Sequence, residues 1–141
     1  MKLFNKLQFL TILKFPNNSI TMIESSAFHG LPLLVRLDLS LNPIHKIYND
    51  TFIKFHYLQH LDISYTQINT IHMYMFRNNT NLLNLDISNT MIAEISSEVF
   101  MGLESLLFLN LSSTPIPMAD FHNIDLFSEL SSLRSVAVVV E

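Results

Sequence analysis

The chain has 141 residues, a formal net charge of −4 and no cysteine, with 49% apolar and only 14% charged residues. This composition argues against a disordered chain and excludes disulfides, thiolate metal sites and a cysteine nucleophile. Lys and Arg form no cluster, so nucleic acid is a disfavoured partner, and no apolar run reaches the roughly 18 residues of a membrane span. Length and composition therefore predict one globular domain, without membrane contact in this segment.

The N-terminal residues 1–9 begin like a secretory signal, with a basic residue followed by apolar ones. Polar residues interrupt the apolar stretch and no small-residue cleavage site follows, which disfavours a signal. Phe4, Leu7 and Leu10 instead follow an F-x-x-L-x-x-L spacing that returns at Phe28. We therefore expect residues 1–9 to be the end of a repeat that precedes residue 10.

A 24-residue pattern repeats from residue 10 onward. It reads L-x-x-L-x-L-x-x-N/T-x-I-x-x-I-x4-F-x-x-L, and it is clearest in LDISYTQI at residues 61–68 and LDISNTMI at residues 85–92. Asn79 departs from the pattern, since it stands where the third copy should have its last Leu. The predicted copies are residues 10–33, 34–57, 58–81, 82–105 and 106–132.

The Leu positions of the pattern predict how each copy folds. In L-x-L, neighbouring side chains point to opposite sides of a strand, so Leu37 and Leu39 face inward while Asp38 faces outward. A single copy cannot bury its apolar residues alone, whereas stacked copies bury them in one continuous column. Phe52 and its equivalents in the other copies are expected to fill the far side of that column.

At these residues the chain resembles the leucine-rich repeat family, over nearly its whole length. The 24-residue copies are similar to the typical class, which is found mostly in extracellular proteins such as Toll-like receptors, leucine-rich-repeat G-protein-coupled receptors and matrix proteoglycans. The resemblance implies an α/β solenoid, a curved right-handed coil. Its concave side would carry a parallel β-sheet, and its convex side would be irregular, mostly non-helical or 3-10.

The C-terminal part of the chain changes the length of the repeat. The junction spacing returns at Phe127, Leu130 and Leu133, which extends the fifth copy to residue 132 and leaves residues 133–141 as a partial repeat. The additional residues are expected in a convex loop within PIPMADFHNIDLF. An alternative register that begins at Leu130 keeps the 24-residue period but turns the polar Ser135 inward, so the longer copy is preferred.

A solenoid needs polar terminal segments to cover its core, and neither end of this sequence contains one. We therefore expect residues 1–141 to form a single repeat array that is an uncapped piece of a longer protein.

The outward strand positions of consecutive copies form columns on the concave side, with neighbouring strands about 4.8 Å apart. The resemblance implies that ligands bind here, and the candidate residues are Arg36, Asp38, His60, Asp62, Asn84, Asp86 and Phe108. Two interpretations of the acidic column remain open. Either Asp and the following Ser are common in this repeat class and bond each other or water, or the carboxylates bind a Lys or Arg of a partner. Phe108 is either an anchor for a ligand or a cover over neighbouring strand side chains.

A second column has a structural role by the same resemblance: Asn18, Asn42, Thr66, Thr90 and Thr114. In the family the Asn side chain turns inward and bonds backbone groups of adjacent turns, which need partners when buried. Because Thr offers one hydroxyl where Asn offers an acceptor and two donors, the Thr copies are expected to be less fully satisfied.

No residue pattern indicates catalysis or a bound metal or cofactor. His56 and His60 have an H-x-x-x-H spacing, but the repeat register places His56 on a turn and His60 on a strand, so they do not converge on a metal. His60 is expected to titrate near pH 6.5 beside Asp62 and Asp38. Phosphate-loop, dinucleotide, G-x-S-x-G and H-E-x-x-H motifs are absent from the sequence, so we expect no enzyme and no cofactor.

Four N-x-S/T sequons occur in the chain, which gives weak support for a secreted context. Asn49 and Asn78 are expected on the convex side and, with Asn17, are the glycosylation candidates. Asn110 lies on a concave strand, and we expect it to be unmodified.

The pattern and the resemblance favour a recognition segment of a cell-surface receptor ectodomain, on the extracellular side of the plasma membrane or secreted. Its partner would be a protein or peptide ligand, with a second receptor chain as a further candidate. A matrix or adhesion protein with the same repeats is one alternative. An intracellular scaffold, in which the sequons are accidental, is the other.

Overall fold

The computed structural model describes residues 4–122 and 125–139. Residues 1–3 and 140–141, at the ends of the expected partial repeats, lie outside the described residues, as do residues 123–124 of the fifth copy. The regular elements are short, and in chain order they are β1 (Ile12–Lys14), β2 (Met22–Ile23), β3 (Arg36–Asp38), β4 (Lys46–Ile47), β5 (His60–Asp62), β6 (Asn84–Asp86), a 3-10 turn (Ser97–Phe100), β7 (Phe108–Asn110), α1 (Met118–Phe121) and β8 (Ser135–Ala137).

Six of the strands form one parallel sheet in the order β1-β3-β5-β6-β7-β8. From β1 to β7 the neighbouring strands keep the 24-residue period, so that Leu37 is in register with Leu61 and Leu61 with Leu85. The last pair is different, because Phe108 is in register with Ser135 at a 27-residue spacing. Ser135 is exposed and Val136 is in register with Leu109, so Ser135 does not point inward.

The inward residues of the strands form the continuous apolar column that the repeat predicts. Leu37, Leu61, Leu85 and Leu109 are all at most 2% exposed, because each is covered by the turns on both sides. On the other side of the column the Phe residues contact one another between turns, with ring centroids 5.9 Å apart for the stacked pair of Phe52 and Phe76. The predicted solenoid with a parallel sheet is confirmed.

The convex side has little regular structure, as the resemblance implied. In the described residues it contains the two-stranded parallel ribbon of β2 and β4, one 3-10 turn and the single-turn helix α1. The helix lies in the segment that makes the fifth copy longer than the others.

Every concave strand of a complete copy is followed by a residue with left-handed backbone, at Asn17, Leu41, Tyr65, Asn89 and Ser113. Their φ angles lie between 52° and 56°, a region that L-residues rarely adopt. The N–H of each donates to a carbonyl of the next turn, as Leu41 does to Ser64 at 3.0 Å and Tyr65 to Ser88 at 3.0 Å. The repeat pattern did not predict this position, because Leu and Tyr have no left-handed preference.

Asn79 breaks the sequence pattern but not the stacking. Its side chain is fully buried, and Nδ2 donates to the carbonyls of Phe52 and Phe55 at 3.0 Å each. The amide thus replaces the apolar contact of a Leu with two hydrogen bonds to the preceding turn. Its Oδ1 has no hydrogen-bond partner among the described residues.

Candidate ligand-binding surface on the concave sheet

The repeat register brings the predicted site residues side by side on the concave sheet. One row runs across the strands as Arg36, His60, Asn84 and Phe108. The next row contains Asp38, Asp62 and Asp86 and ends at Asn110. All of these residues line one open cleft of about 460 Å³.

Besides the strand Leu residues, four further residues line the same cleft and were not among the candidates: Lys14, Asn110, Ser135 and Ala137. Lys14 and Asn110 have the same outward position in β1 and β7 as Asp38 has in β3, so the repeat register contained the signal for both. Ser135 and Ala137 follow from the 27-residue spacing, which puts the outward positions of β8 beside Phe108 and Asn110.

The Asp and Ser residues of the repeat bond each other. Asp62 Oδ1 accepts from the Ser64 hydroxyl at 2.6 Å and from the Ser64 backbone N–H at 3.0 Å. The same closed turn joins Asp38 to Ser40 at 2.7 Å and Asp86 to Ser88 at 2.6 Å, from hydroxyl to carboxylate. One oxygen of each carboxylate therefore holds its own turn, and only the second oxygen is available to a ligand.

The second oxygens of the row have different surroundings. Asp86 Oδ2 accepts from Asn110 Nδ2 at 3.0 Å, whereas no described residue donates a hydrogen bond to Oδ2 of Asp38 or Asp62. Asp62 is also flanked by a carboxylate on each side, Asp38 and Asp86. It is the member of the row that would gain most from a bound cation.

The pKa of the Asp62 carboxyl is raised above its ordinary value. The main cause is partial burial, which disfavours the charged form, and repulsion from Asp86 and Asp38 adds to it. The hydrogen bonds from Ser64 act in the opposite direction and are not sufficient to cancel the rise.

The expected titration of His60 near pH 6.5 is wrong. Partial burial and the positive charge of Arg36 lower its pKa below 6.5, and the hydrogen bond with the Asn84 side chain only partly opposes this. Burial is the larger cause, and the register supplies the second, because Arg36 and Asn84 rather than carboxylates lie directly beside His60 across the strands.

His56 and His60 do not form a metal site together. His56 is exposed on the turn before β5, and its carbonyl accepts a hydrogen bond from Asn81 Nδ2 at 2.7 Å. Within residues 4–122 and 125–139, no group of three or more His, Cys, Asp or Glu side chains is arranged to hold a metal ion.

Phe108 is the large aromatic side chain of the cleft. It is 47% exposed and lies in register between Asn84 and Ser135, two small polar neighbours. Among the aromatic contacts of the described residues none involves Phe108, so its ring is not stacked on another ring of the core. Nearly half of the residue surface is thus accessible to a ligand in the cleft.

The Asn and Thr column differs from copy to copy. Asn42 is buried, and its Nδ2 donates to the carbonyls of Phe15, Leu39 and Ser40 while its Oδ1 accepts from the N–H groups of Asn18 and Ile20. Each Thr instead donates one bond inside its own copy: Thr66 to Ile63, Thr90 to Ile87 and Thr114 to Leu111. Asn42 alone of these four ties two turns together.

Asn18 has a different position from the rest of that column. Its side chain is exposed, and Nδ2 donates to the Pro16 carbonyl in the same turn at 3.0 Å. The expected inward Asn is therefore not found at residue 18, since β1 is the first strand of the described sheet and offers no earlier strand for the amide to bond.

The four sequon asparagines have different surroundings. Asn17 and Asn49 have exposed side chains, and no hydrogen bond from their side-chain amides to a described residue is present. Asn78 Nδ2, the atom to which a glycan would be attached, donates to the Ile53 carbonyl at 3.0 Å. Asn110 Nδ2 donates to Asp86. Glycosylation remains a prediction, and the two exposed side chains fit it best.

Comparison with known proteins identifies the repeat. Residues 1–126 match, in six copies, the family model described as BspA type leucine rich repeat region. No curated protein sequence matches the chain. One similar solved structure is a TLR13–ssRNA13 complex, with 25% identity and a TM-score of 0.85 over 96% of this chain. Another is the LRR protein LIC12759 of Leptospira interrogans, with 23% identity and a TM-score of 0.81 over 94% of this chain.

The chain spans only 19% of the TLR13 chain and 32% of the Leptospira protein. In the residues that the structure describes, no helix has the length and apolar character needed to cross a membrane.

Proposed function

The chain belongs to the leucine-rich repeat family, and from this membership we propose that its concave face binds a protein or peptide ligand. Proteins of this family are generally binding scaffolds without enzymatic activity. The binding residues would be Arg36, Asp38, His60, Asp62, Asn84, Asp86 and Phe108, with Lys14 and Asn110 beside them.

The observation that carries the proposal is the pairing of Asp62 with Phe108 in one cleft. Asp62 has an oxygen to which no described residue donates a hydrogen bond. Partial burial, with repulsion from Asp86 and Asp38, raises the pKa of its carboxyl. Phe108 offers an apolar surface two strands away. A ligand with a Lys or Arg near an apolar side chain would complement both.

The TLR13 structure contains single-stranded RNA, which makes RNA a second candidate ligand to test. The charges in the present cleft oppose it. Asp38, Asp62 and Asp86 line the cleft against the cations Lys14 and Arg36, whereas RNA binding relies on clustered cations that neutralise phosphates. A protein or peptide ligand is the better match.

The cellular context is also part of the proposal. We assign the chain to a receptor ectodomain on the extracellular side of the plasma membrane, because the exposed sequons at Asn17 and Asn49 and the similarity to a Toll-like receptor structure both fit that context. A second receptor chain is a further candidate partner. An adhesion or matrix protein and an intracellular scaffold are the alternatives, and an occupied glycan at Asn49 of native material would exclude the scaffold.

Peptide selection tests the concave site although its natural ligand is unidentified. Peptides selected from a random displayed library on the wild-type chain should bind an Asp62→Ala/Phe108→Ala variant roughly tenfold more weakly or worse. They should contain Lys or Arg next to apolar residues, and a single-stranded RNA probe should not compete with them. Equal affinity for the double variant would contradict the proposal and move recognition away from the concave face.

The matched control is Asp50→Ala/Tyr57→Ala, which also removes one carboxylate and one ring. Both side chains are exposed and neither lines the concave cleft. This variant should bind the selected peptides like the wild type, and the thermal unfolding of all three proteins should be similar.

A further inference from the structure

The convex ribbon of β2 and β4 does not continue along the whole solenoid. In the first two copies, Met22–Ile23 pairs with Lys46–Ile47, and His45 N–H donates to the Thr21 carbonyl at 3.0 Å. The repeat register makes 70–71 and 94–95 the equivalent segments of the next two copies, and neither forms a strand. In the third and fourth copies, the segments equivalent to β2 and β4 are therefore not paired with each other as strands.

Two hydrogen bonds frame the opening between these turns. At one end Met91 N–H donates to the Ile68 carbonyl at 2.9 Å, and at the other Tyr74 N–H donates to the Glu98 carbonyl at 3.2 Å. Between them, the backbone amides of residues 69–73 donate to no described backbone carbonyl. Residues 69, 70, 72 and 73 are exposed and only Ile71 is buried, so most of these amides are open to solvent. Unpaired backbone N–H groups of this kind offer a template for an added strand.

A groove of about 690 Å³ occupies this opening. Its volume lies within the range of about 300–1,000 Å³ that is usual for ligand sites. Met73 and Met91 are 57% and 59% exposed on its two sides, and Ile95 and Val99 lie at its base. Met side chains adapt to apolar ligands of different shapes, which suits a groove that binds a peptide side chain.

The groove also has a definite charge. Glu94 lines it, and a smaller adjoining cavity, which shares Ile95 and Ser96 with it, is lined by Glu98 and Asp120. A hydrogen bond with the Ser96 side chain lowers the pKa of Glu98, so this carboxylate is ionised at neutral pH. No Lys or Arg occurs among the described residues that line either cavity.

We propose that this groove is a second binding site, on the convex side, for an extended peptide segment of a partner protein. The segment would add as a strand to residues 69–73, insert an apolar side chain between Met73 and Met91, and place Lys or Arg beside Glu94. Charge complementarity decides the class of partner, since a basic segment balances an acidic groove whose described residues include no Lys or Arg. The site is separate from the concave cleft and does not depend on the function proposed for it.

A fluorescent heptapeptide of alternating Lys and Val tests the proposal by anisotropy. It should bind the wild-type chain, and a peptide with Glu in place of Lys should not. The same Lys–Val peptide with alternate backbone amides methylated should lose most of its affinity, because methylation removes the donors that strand addition needs. Equal binding of the methylated peptide, or no binding of the Lys–Val peptide, would overturn the proposal.

Variants locate the site. Glu94→Lys/Met91→Ser should raise the dissociation constant of the Lys–Val peptide roughly tenfold or more. The matched control Glu104→Lys/Met22→Ser changes an exposed carboxylate and an exposed Met outside the groove and should leave it unchanged. The Asp62→Ala/Phe108→Ala variant should bind the peptide with the affinity of the wild type. Weaker binding by this variant would mean that the peptide occupies the concave cleft, and it would contradict the convex site. Far-UV circular dichroism and thermal unfolding check that every variant is folded.

Discussion

A single position of the repeat has two different roles, depending on which residue occupies it. In β3, β5 and β6 it is Asp, and one carboxylate oxygen closes a turn with the following Ser. In β7 it is Asn110, whose Oδ1 accepts from the Ser112 N–H while its Nδ2 donates to Asp86. The Asn110 amide accepts the hydrogen bond that closes the turn and carries no charge, so it does not repel Asp86. The carboxylate of Asp62 closes its turn but is repelled by its two Asp neighbours.

This difference predicts how Asp62→Asn affects stability. Because the folded state raises the pKa of Asp62, its contribution to stability is complete below the unfolded pKa and is lost as the pH rises through the folded pKa. We therefore expect Asp62→Asn to be more stable than the wild type at pH 7, by less than about 1 kcal/mol because the group is half exposed. The difference should disappear below about pH 4.

Urea unfolding at both pH values measures this effect. Asp50→Asn, at an exposed position away from the acidic row, is the control and should not be more stable than the wild type at pH 7. An Asp62→Asn variant that is less stable than the wild type at pH 7 would contradict the interpretation that the row is repulsive.

At the scale of the strand, a residue with left-handed backbone lies three positions after the last residue of each concave strand from β1 to β7. This conformation costs an ordinary L-residue about 1–2 kcal/mol, and Asn tolerates it better than Leu or Tyr. The chain has Asn at this position in the copies of Asn17 and Asn89 and has Leu41 and Tyr65 in the two copies between them.

Leu41→Asn should therefore stabilise the protein, even though it removes an apolar side chain. Leu41 is 50% exposed, so little burial is lost, and the free energy of unfolding is expected to rise by about 1 kcal/mol. Leu33→Asn is the control, since Leu33 is also partly exposed but has no left-handed backbone. If Leu41→Asn destabilises the protein more than the control does, relief of backbone strain is not the dominant effect.

The sequence predicted the concave strands well and the convex side less well, for a physical reason. The inward position of Leu37, Leu61 and Leu85 is predicted directly by the sequence. Side chains alternate between the two faces of a strand, and these apolar residues occupy the buried face. The paired ribbon of β2 and β4 and its absence in the following copies depend on the path of the backbone between turns, which the Ile residues at these positions do not encode. The expected pKa of His60 was wrong because partial burial lowers it, and the positive charge of Arg36 on the neighbouring strand lowers it further.

Asn79 shows the same limit at one residue. The pattern marked it as a missing Leu, but the structure uses its amide to bond two carbonyls of the preceding turn. A sequence pattern based on apolar side chains does not detect a polar side chain that joins neighbouring copies through hydrogen bonds to backbone carbonyls.

At the scale of the whole molecule, stability is a sum over neighbouring turns. Leu61 contacts the column from a central strand and is only 2% exposed. We expect Leu61→Ala to lower the free energy of unfolding by about 2–5 kcal/mol, the range for a large core residue that leaves a cavity. Chemical denaturation measures it.

Leu33→Ala serves as the comparison, because Leu33 is a partly exposed Leu outside the column. It should change the free energy of unfolding by roughly 0.5 kcal/mol or less. Similar losses in the two variants would contradict the description of the strand Leu residues as one shared core.

The 27-residue spacing between β7 and β8 has a consequence for how such a chain can diverge. The additional residues are taken up away from the sheet, and Leu109 still lies in register with Val136. Insertions and deletions on the convex side therefore meet little selection against them, whereas a shift of one residue within a strand would turn its outward side chains into the core. Related chains should vary in length on one side of the coil and hardly at all on the other.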